Sequence, residues 1–303
     1  MLLTGGSGLL ALNWACAIRD SHEVLLATHR RRADLAGTRS VELALEPLDT
    51  LTSALQRLAP DLVIHTAGLT SVDECERDPE RSTHVNAALA RNVALAAAAA
   101  GARLVHISTD HLFAGTRAFY TEAAQPEPLN AYARSKLLAE QWVAQVHPDA
   151  LIVRTNFFGW GHAHRQSFSD WLYYGLDEGR ELTLFDDAWF TPIHADTLAH
   201  ACHALVDTGA SGIYNVVGDE RVSKYAFGAK LADTCGFSGA LLLHGKIAAA
   251  RLSAARPPDM SLDNSKARAR LGTAFGSVAD FLSLLQQQHR AGRREELRAA
   301  ITG

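Results

Sequence analysis

The chain opens Met1-Leu2-Leu3-Thr4-Gly5-Gly6-Ser7-Gly8-Leu9-Leu10-Ala11, a short apolar strand that runs into glycines and then into an apolar helical stretch, Leu9 to Ile18. Glycine permits the tight turn, lets the backbone approach a pyrophosphate, and frees amide groups at a helix N-terminus to bind it. The spacing is G-x-x-G-x-x-A, a variant of the dinucleotide-binding fingerprint in which Ala11 takes the third small position and still allows close helix–sheet packing. Gly5, Ser7, Gly8 and Leu9 are the contacts this turn predicts.

Outward from the turn, the first half alternates strands with helices. Val24–Ala27, Leu62–His65, Arg103–Ser108 and Leu151–Arg154 read as strands. Leu51–Leu58, the alanine-rich Thr83–Ala100 and Asn130–Val146 read as helices. Such alternation implies right-handed crossovers and a mainly parallel sheet covered on both faces. The predicted class is α/β, a Rossmann-type doubly wound parallel sheet with a smaller C-terminal substrate-binding region. Ligands in such folds bind beyond the carboxyl ends of the strands. Thr66-Ala67-Gly68 and Thr109-Asp110 sit at such ends, as the glycine turn does, which points to one shared cleft. The dinucleotide-binding domain is expected over 1–155 and the mainly substrate-binding region over 156–303. A segment near 191–217, containing the strand-like Gly212–Val217, is expected to return to the main sheet. Arg294–Ile301 reads as a loosely packed terminal helix with few apolar anchors.

Composition adds mild bounds. The chain has 303 residues, 48% of them hydrophobic, and a net charge of −4, so nothing suggests a nucleic-acid binder. Cys16, Cys75, Cys202 and Cys235 are scattered, without a C-x-x-C pair, and read as reduced cysteines rather than a disulfide framework or zinc site. No apolar run approaches the roughly 20 residues of a membrane span, and no cleavable leader is visible. A soluble, cytoplasmic protein without membrane partners is expected. The 14 histidines are dispersed; His162-Ala163-His164 is the closest cluster and reads as a polar loop, so no metal is predicted.

Chemistry enters with Tyr132-Ala133-Arg134-Ser135-Lys136, downstream of Ser108-Thr109-Asp110. Tyr and Lys at this spacing share one face of a helix. An ammonium beside a phenol favours the phenolate and eases proton exchange near neutral pH. A Thr hydroxyl is the natural third group, because it can hydrogen-bond the same substrate oxygen. Thr109, Tyr132 and Lys136 are therefore the catalytic candidates.

In this order the motifs resemble the extended short-chain dehydrogenase/reductase superfamily, and within it the dTDP-4-dehydrorhamnose reductase-like sugar-nucleotide reductases. The likeness is carried by Val63–Asp73, Val85-Asn86-Ala87, Ile107–Phe113, Pro128–Lys136, Phe190–Ala199, and Arg256-Pro257 with Ser261-Leu262-Asp263. The resemblance implies that a reduced nicotinamide delivers hydride to a ketone, C4 of a nucleotide-linked 6-deoxyhexose. It further implies that Tyr132 protonates the developing alkoxide, that Lys136 depresses the phenol's pKa and holds the nicotinamide ribose, and that Thr109 stabilises the substrate oxygen. It is also compatible with a homodimer.

Departures from the family pattern bear on the substrate side. His111 stands where these reductases have Tyr, so Asp110-His111 is either a second acid/base pair or, on the favoured reading, a sugar contact. Ala114 replaces an Asp of the family's F-D-G element. Thr70, Asp110, His111, Asn156, Trp160 and Arg256 are the expected substrate contacts, with Trp160, flanked by glycines, the pocket aromatic. For the cofactor, the second strand ends in Thr28-His29-Arg30-Arg31-Arg32 with no carboxylate, where an NAD site offers Asp or Glu to the ribose. A basic triplet attracts a 2′-phosphate, so NADP(H) is favoured over NAD(H), with Thr28 and Arg30 as the contacts. Two other readings stay open: a sugar-nucleotide epimerase or dehydratase that uses Asp110/His111 with bound NAD(P), and a non-catalytic NADP-binding regulatory subunit or sensor.

Overall fold

The structure is a computed structural model that describes residues 1–250 and 252–302. Its centre is a seven-stranded parallel sheet. In chain order the strands are β1 (Leu2–Thr4), β2 (Leu25–Thr28), β3 (Arg39–Glu42), β4 (Leu62–His65), β5 (Arg103–Ile107), β6 (Leu151–Arg154) and β7 (Gly212–Asn215). Their spatial order is β3-β2-β1-β4-β5-β6-β7. The chain steps out one way from β1, then returns and steps out the other way, which leaves a switch point between β1 and β4 for a ligand.

The alternation of side chains along each strand builds a core on either face. Leu3, Leu26, Ile64, Val105, Leu151 and Val153 point to one side. There they meet α1 (Leu9–Ile18), and Trp14 and Leu198 are buried in the same cluster. Leu2, Leu25, Val63, Leu104 and Ile152 point to the other, against α2 (Leu48–Leu58), α3 (Leu89–Ala99) and α4 (Ala131–Val146). The small alanines of α3, Ala90, Ala94 and Ala97 among them, are buried there, which explains the alanine-rich run as packing.

Three features differ from expectation. The stretch Thr83–Ala100 is not one α-helix: His84–Ala88 forms a π-helical turn before α3. That extra residue per turn aims the Asn86 amide at the chain above it, where it exchanges two hydrogen bonds with the Leu69 backbone (2.7 and 3.0 Å). Arg39–Glu42, unread in the sequence, is the edge strand β3. Gly212–Asn215 does join the sheet, as β7 beside β6. The terminal segment is anchored rather than loose: Leu297 and Ala300 are buried, and Ile301–Thr302 pairs antiparallel with Arg32–Ala33. The helix Arg293–Ala299 is also held by ion pairs from Glu296 to Arg19 and from Arg293 to Asp196.

Beyond β6 the chain makes small two-stranded pieces, including Phe157–Phe158 with Ile193–His194 and Trp189–Phe190 with Val222–Ser223. Among the described residues no helix is long and apolar enough to cross a membrane.

Candidate active site

A cleft of about 590 Å³ opens over the carboxyl ends of β1, β4, β5 and β6. Its first wall is the glycine turn. Gly5 has φ +67°, and a Cβ there would lie 2.8 Å from Ala67 Cα; one on Gly6 would lie 2.8 Å from the Leu26 carbonyl carbon. Both glycines are required by close backbone approach, which is why Ala67 contributes to the turn's packing while Ser7, Gly8 and Leu9 line the cleft. Gly8 is the N-cap of α1, with no side-chain capping bond and no acidic residue in the first turn. The amides of that turn therefore face a space suited to an anion. Thr66 is fixed by donating to the Thr4 carbonyl at 2.7 Å, and Gly68 lies against Asn86 Oδ1, where a Cβ would come within 3.0 Å.

The candidate catalytic groups rise from the floor. Asn130 caps α4 by accepting from the Ala133 amide at 2.9 Å, and this start presents Tyr132 and Lys136 toward β5. Lys136 Nζ donates to the Ile107 carbonyl at 2.7 Å. Thr109 Oγ1 accepts from the His111 amide at 3.2 Å and sits beside the Tyr132 phenol. A buried scaffold supports this corner. Arg154, at the end of β6, grips Glu140 of α4 through contacts of 2.7 to 3.2 Å, and Ser108 donates to the same carboxylate at 2.6 Å.

One electrostatic expectation is corrected. Lys136 does not lower the phenol in this structure: burial pushes Tyr132 up to about 12, with the Thr109 hydrogen bond opposing and the Asp110 charge adding. Lys136 is itself brought down to about 8 by burial, with Glu140 holding it up. The phenol is thus the protonated, donating form at neutral pH, and the ammonium is close to neutrality on its alkaline side.

On the substrate side, Asp110 is 2% exposed and accepts from Asn156 Nδ2 at 2.5 Å. His111 packs edge-on to Tyr132, ring centroids 5.7 Å apart. Its imidazole is pushed down by burial and by the cations Lys224 and Arg256, against the pull of Asp110. Thr70 lines the cleft and accepts from Arg165 Nη2 at 2.7 Å.

Two expected contacts lie elsewhere. Trp160 is 1% exposed, its indole donates to the Leu285 carbonyl at 3.1 Å, and it packs on Tyr173. It is a core residue. Its flanking glycines serve backbone packing: a Cβ on Gly161 would fall 2.2 Å from the Arg165 carbonyl oxygen. Phe157 and Phe168 are the aromatics of the cleft wall instead. Arg256 does not line the cleft; its guanidinium pairs with Asp73 at 3.0 Å and donates to the Ala254 carbonyl.

A second, smaller recess of about 270 Å³ is lined by Thr28, Arg30, Arg31, Arg32, Ser40 and Glu42. The basic triplet is therefore gathered around one space. Arg31 also lines the main cleft, so it joins the two. The parallel register of β2 on β3 sets Thr28 opposite Glu42, which brings in a carboxylate that the sequence around the triplet does not contain. Glu42, Phe168 and Arg165 were not singled out as site residues, each coming from a distant or unpatterned position; Arg31 belongs to the basic triplet, of which only Arg30 was named as a contact.

A glycine turn at a switch point, with Thr, Tyr and Lys gathered beside it, defines an oxidoreductase of the extended short-chain dehydrogenase/reductase type. Residues 1–287 match the family model described as the RmlD substrate binding domain, and the chain belongs to that family. It is similar to the "Probable low-salt glycan biosynthesis reductase Agl14" of Haloferax volcanii, 30% identical over 288 residues (94% of this chain, 96% of that one). Among solved structures, it resembles a hypothetical dTDP-4-dehydrorhamnose reductase from Sulfolobus tokodaii (32% identity, TM-score 0.79, covering 91% of this chain and 96% of that one). The fold is also shared with the dTDP-4-dehydrorhamnose reductase of Bacillus anthracis, solved in complex with NADP (24% identity, TM-score 0.85, 95% and 98% covered).

Proposed function

We propose that the protein reduces the C4 ketone of a nucleotide-linked 4-keto-6-deoxyhexose with NADPH. The observation that carries this reading is that Thr109 and Tyr132 line one cleft whose other wall is the glycine turn, with Lys136 one helical turn on from Tyr132 and donating to the Ile107 carbonyl. The residues fit a dinucleotide: a Cβ-free turn, uncapped amides at the start of α1, and a basic recess beyond β2. When bound, the reduced nicotinamide supplies the hydride.

The chain's own residues account for the rest. Tyr132 Oη, protonated at neutral pH, donates its proton to the oxygen that becomes an alkoxide as the carbonyl is reduced; the phenolate then regains a proton from solvent. Thr109 hydrogen-bonds the same oxygen and strengthens as charge grows there. Lys136 holds the ribose hydroxyls. Arg30 and Arg31 receive the 2′-phosphate. Their excess of positive charge over Glu42 favours NADPH over NADH, in keeping with the NADP complex of the Bacillus anthracis relative.

The epimerase or dehydratase reading needs Asp110 or His111 as a further acid/base. Asp110 is held by Asn156 and His111 is kept neutral by burial, which suits binding better than proton shuttling. The test is to incubate the purified protein with NADPH and a panel of dTDP-, UDP- and GDP-4-keto-6-deoxyhexoses. One equivalent of NADPH lost per alcohol formed is expected. A changed sugar without net NADPH loss would favour the isomerase or dehydratase, and tight NADPH binding without turnover the regulatory reading.

A further inference from the structure

The recess beyond β2 gathers three consecutive arginines, Arg30, Arg31 and Arg32, around one space. All three are exposed, and among the described residues none forms an ion pair. Like charges this close repel one another, and ordering long side chains costs entropy. Ser40 Oγ, on β3, is buried at the same recess with no hydrogen-bond partner among the described residues. The recess suits an anion, yet the triplet itself supplies no tie that would keep it gathered.

The ties come from the far end of the chain. Side chains alternate along the loop 29–38 that links β2 to β3, so Ala33 and Leu35 are buried while Arg32, Asp34 and Ala36 are exposed. Ala33 and Leu35 enter the main core together with Leu297, Ala300 and Ile301. The backbone is joined there too: Ile301–Thr302 pairs with Arg32–Ala33, and the Asp34 amide donates to the Ala300 carbonyl at 2.7 Å. Arg19, at the end of α1, donates to the Ala36 carbonyl at 2.9 Å and pairs with Glu296 of the terminal helix. Among the described residues, every hydrogen bond that Arg32–Ala36 make beyond the loop goes to the terminal segment or to Arg19.

We propose that the terminal segment Glu296–Thr302 positions this loop and thereby sets how tightly the recess holds the 2′-phosphate of the cofactor. Its residues do not line the recess. They act by keeping Arg32, and through it Arg30 and Arg31, in the gathered arrangement. The inference rests on reading the recess as the 2′-phosphate site. A loop gathered only about a tenth of the time would bind the phosphate about tenfold more weakly, because affinity scales with the competent fraction. By linkage, phosphate binding must in turn strengthen the terminal pairing.

The test is calorimetric titration of 2′,5′-ADP and 5′-AMP, which differ only in the 2′-phosphate, into the wild-type protein, I301G and E296Q. Wild type should prefer 2′,5′-ADP. I301G removes a buried anchor of the segment and should weaken 2′,5′-ADP about tenfold while 5′-AMP binds as before, which also shows that the fold is intact. E296Q should weaken 2′,5′-ADP as well, whereas the loss of a negative charge would by itself tighten an anion. A preference for 2′,5′-ADP that both variants keep in full would overturn the inference. Amide hydrogen exchange on the wild type needs no variant to fold: 2′,5′-ADP should slow exchange in 30–36 and in 296–302 more than 5′-AMP does. A segment 296–302 that answers both nucleotides alike would also overturn it. Equal affinity of wild type for the two nucleotides would contradict the recess reading and this inference with it; the other two adverse results contradict this inference alone.

Discussion

Glu140→Gln is expected to weaken the protein and to move its pH profile at the same time. The Glu140–Arg154 pair is 3% and 2% exposed, and its contacts of 2.7 to 3.2 Å join the middle of α4 to the end of β6. Among the described residues Arg154 has no second carboxylate partner, and its Nη1 is buried without a hydrogen bond. Neutralising Glu140 therefore leaves a guanidinium charge in the core, which costs about 3–5 kcal/mol. At about 2–4 °C per kcal/mol for a domain of this order of size, the melting temperature should fall by roughly 10 °C. The same carboxylate raises Lys136, whose pKa lies at about 8. Its loss should push the ammonium lower still, so the alkaline limb of kcat, where the lysine loses its charge, should move to lower pH. The double variant Glu140→Leu/Arg154→Met replaces the pair with apolar groups and should regain most of the stability, while the alkaline limb stays displaced. Thermal melts by circular dichroism and pH–rate profiles read both effects. A melting temperature within about 2 °C of wild type for Glu140→Gln, or a double variant no better than the single, would refute the reasoning.

Tyr132→Phe removes the donating oxygen and leaves the ring packed beside Cys75 and Ala131; kcat should drop about 10²- to 10⁴-fold while the NADPH affinity seen by fluorescence titration holds. Arg31→Ala should weaken NADPH about 10- to 100-fold and leave NADH nearly untouched, since one charge-assisted contact is removed; equal losses for both cofactors would show that Arg31 does not face the 2′-phosphate. Asp170, buried and accepting from the Gly161 and Ser167 amides at 2.7 and 2.8 Å, is pushed up to about 6 from 3.8. Its native form binds more protons than the unfolded chain between those values, so this residue's contribution to stability falls as pH rises from about 4 to about 6 and is flat above. Denaturant melts across that range should show the slope in wild type and lose it in Asp170→Asn.

The local parts of the architecture were legible because they are written in neighbouring residues. The glycine turn and its helix are such a case: Leu9–Ile18 lies where the apolar run puts it. The Tyr132/Lys136 spacing on α4 is another, since one helix face carries both. Asp110, His111 and Asn156 reach the cleft because each ends or follows a buried strand. What escaped depends on contacts between distant segments. Glu42 meets the basic recess through a strand pairing that four residues, Arg39–Glu42, none of them buried, do not announce. Lys224 packs its ammonium over the rings of Phe168 and Phe190, which two other segments contribute. Trp160 misled for a related reason: glycines beside an aromatic look like a loop rim, whereas here they let backbone pass close to Arg165 and Asn13. The terminal segment seemed short of anchors because its partners, Arg32–Ala33 and Arg19, lie at the other end of the chain.

The central claim is tested most directly by following NADPH consumption and sugar product together, with the 4-keto-6-deoxyhexose panel as substrates and Tyr132→Phe alongside. The account predicts that at least one nucleotide-linked ketone is reduced to its C4 alcohol with one NADPH oxidised per product, and that Tyr132→Phe binds NADPH but turns over at least about a hundredfold more slowly. A sugar product formed by wild type with no net NADPH oxidation, or turnover that Tyr132→Phe leaves intact, would contradict it.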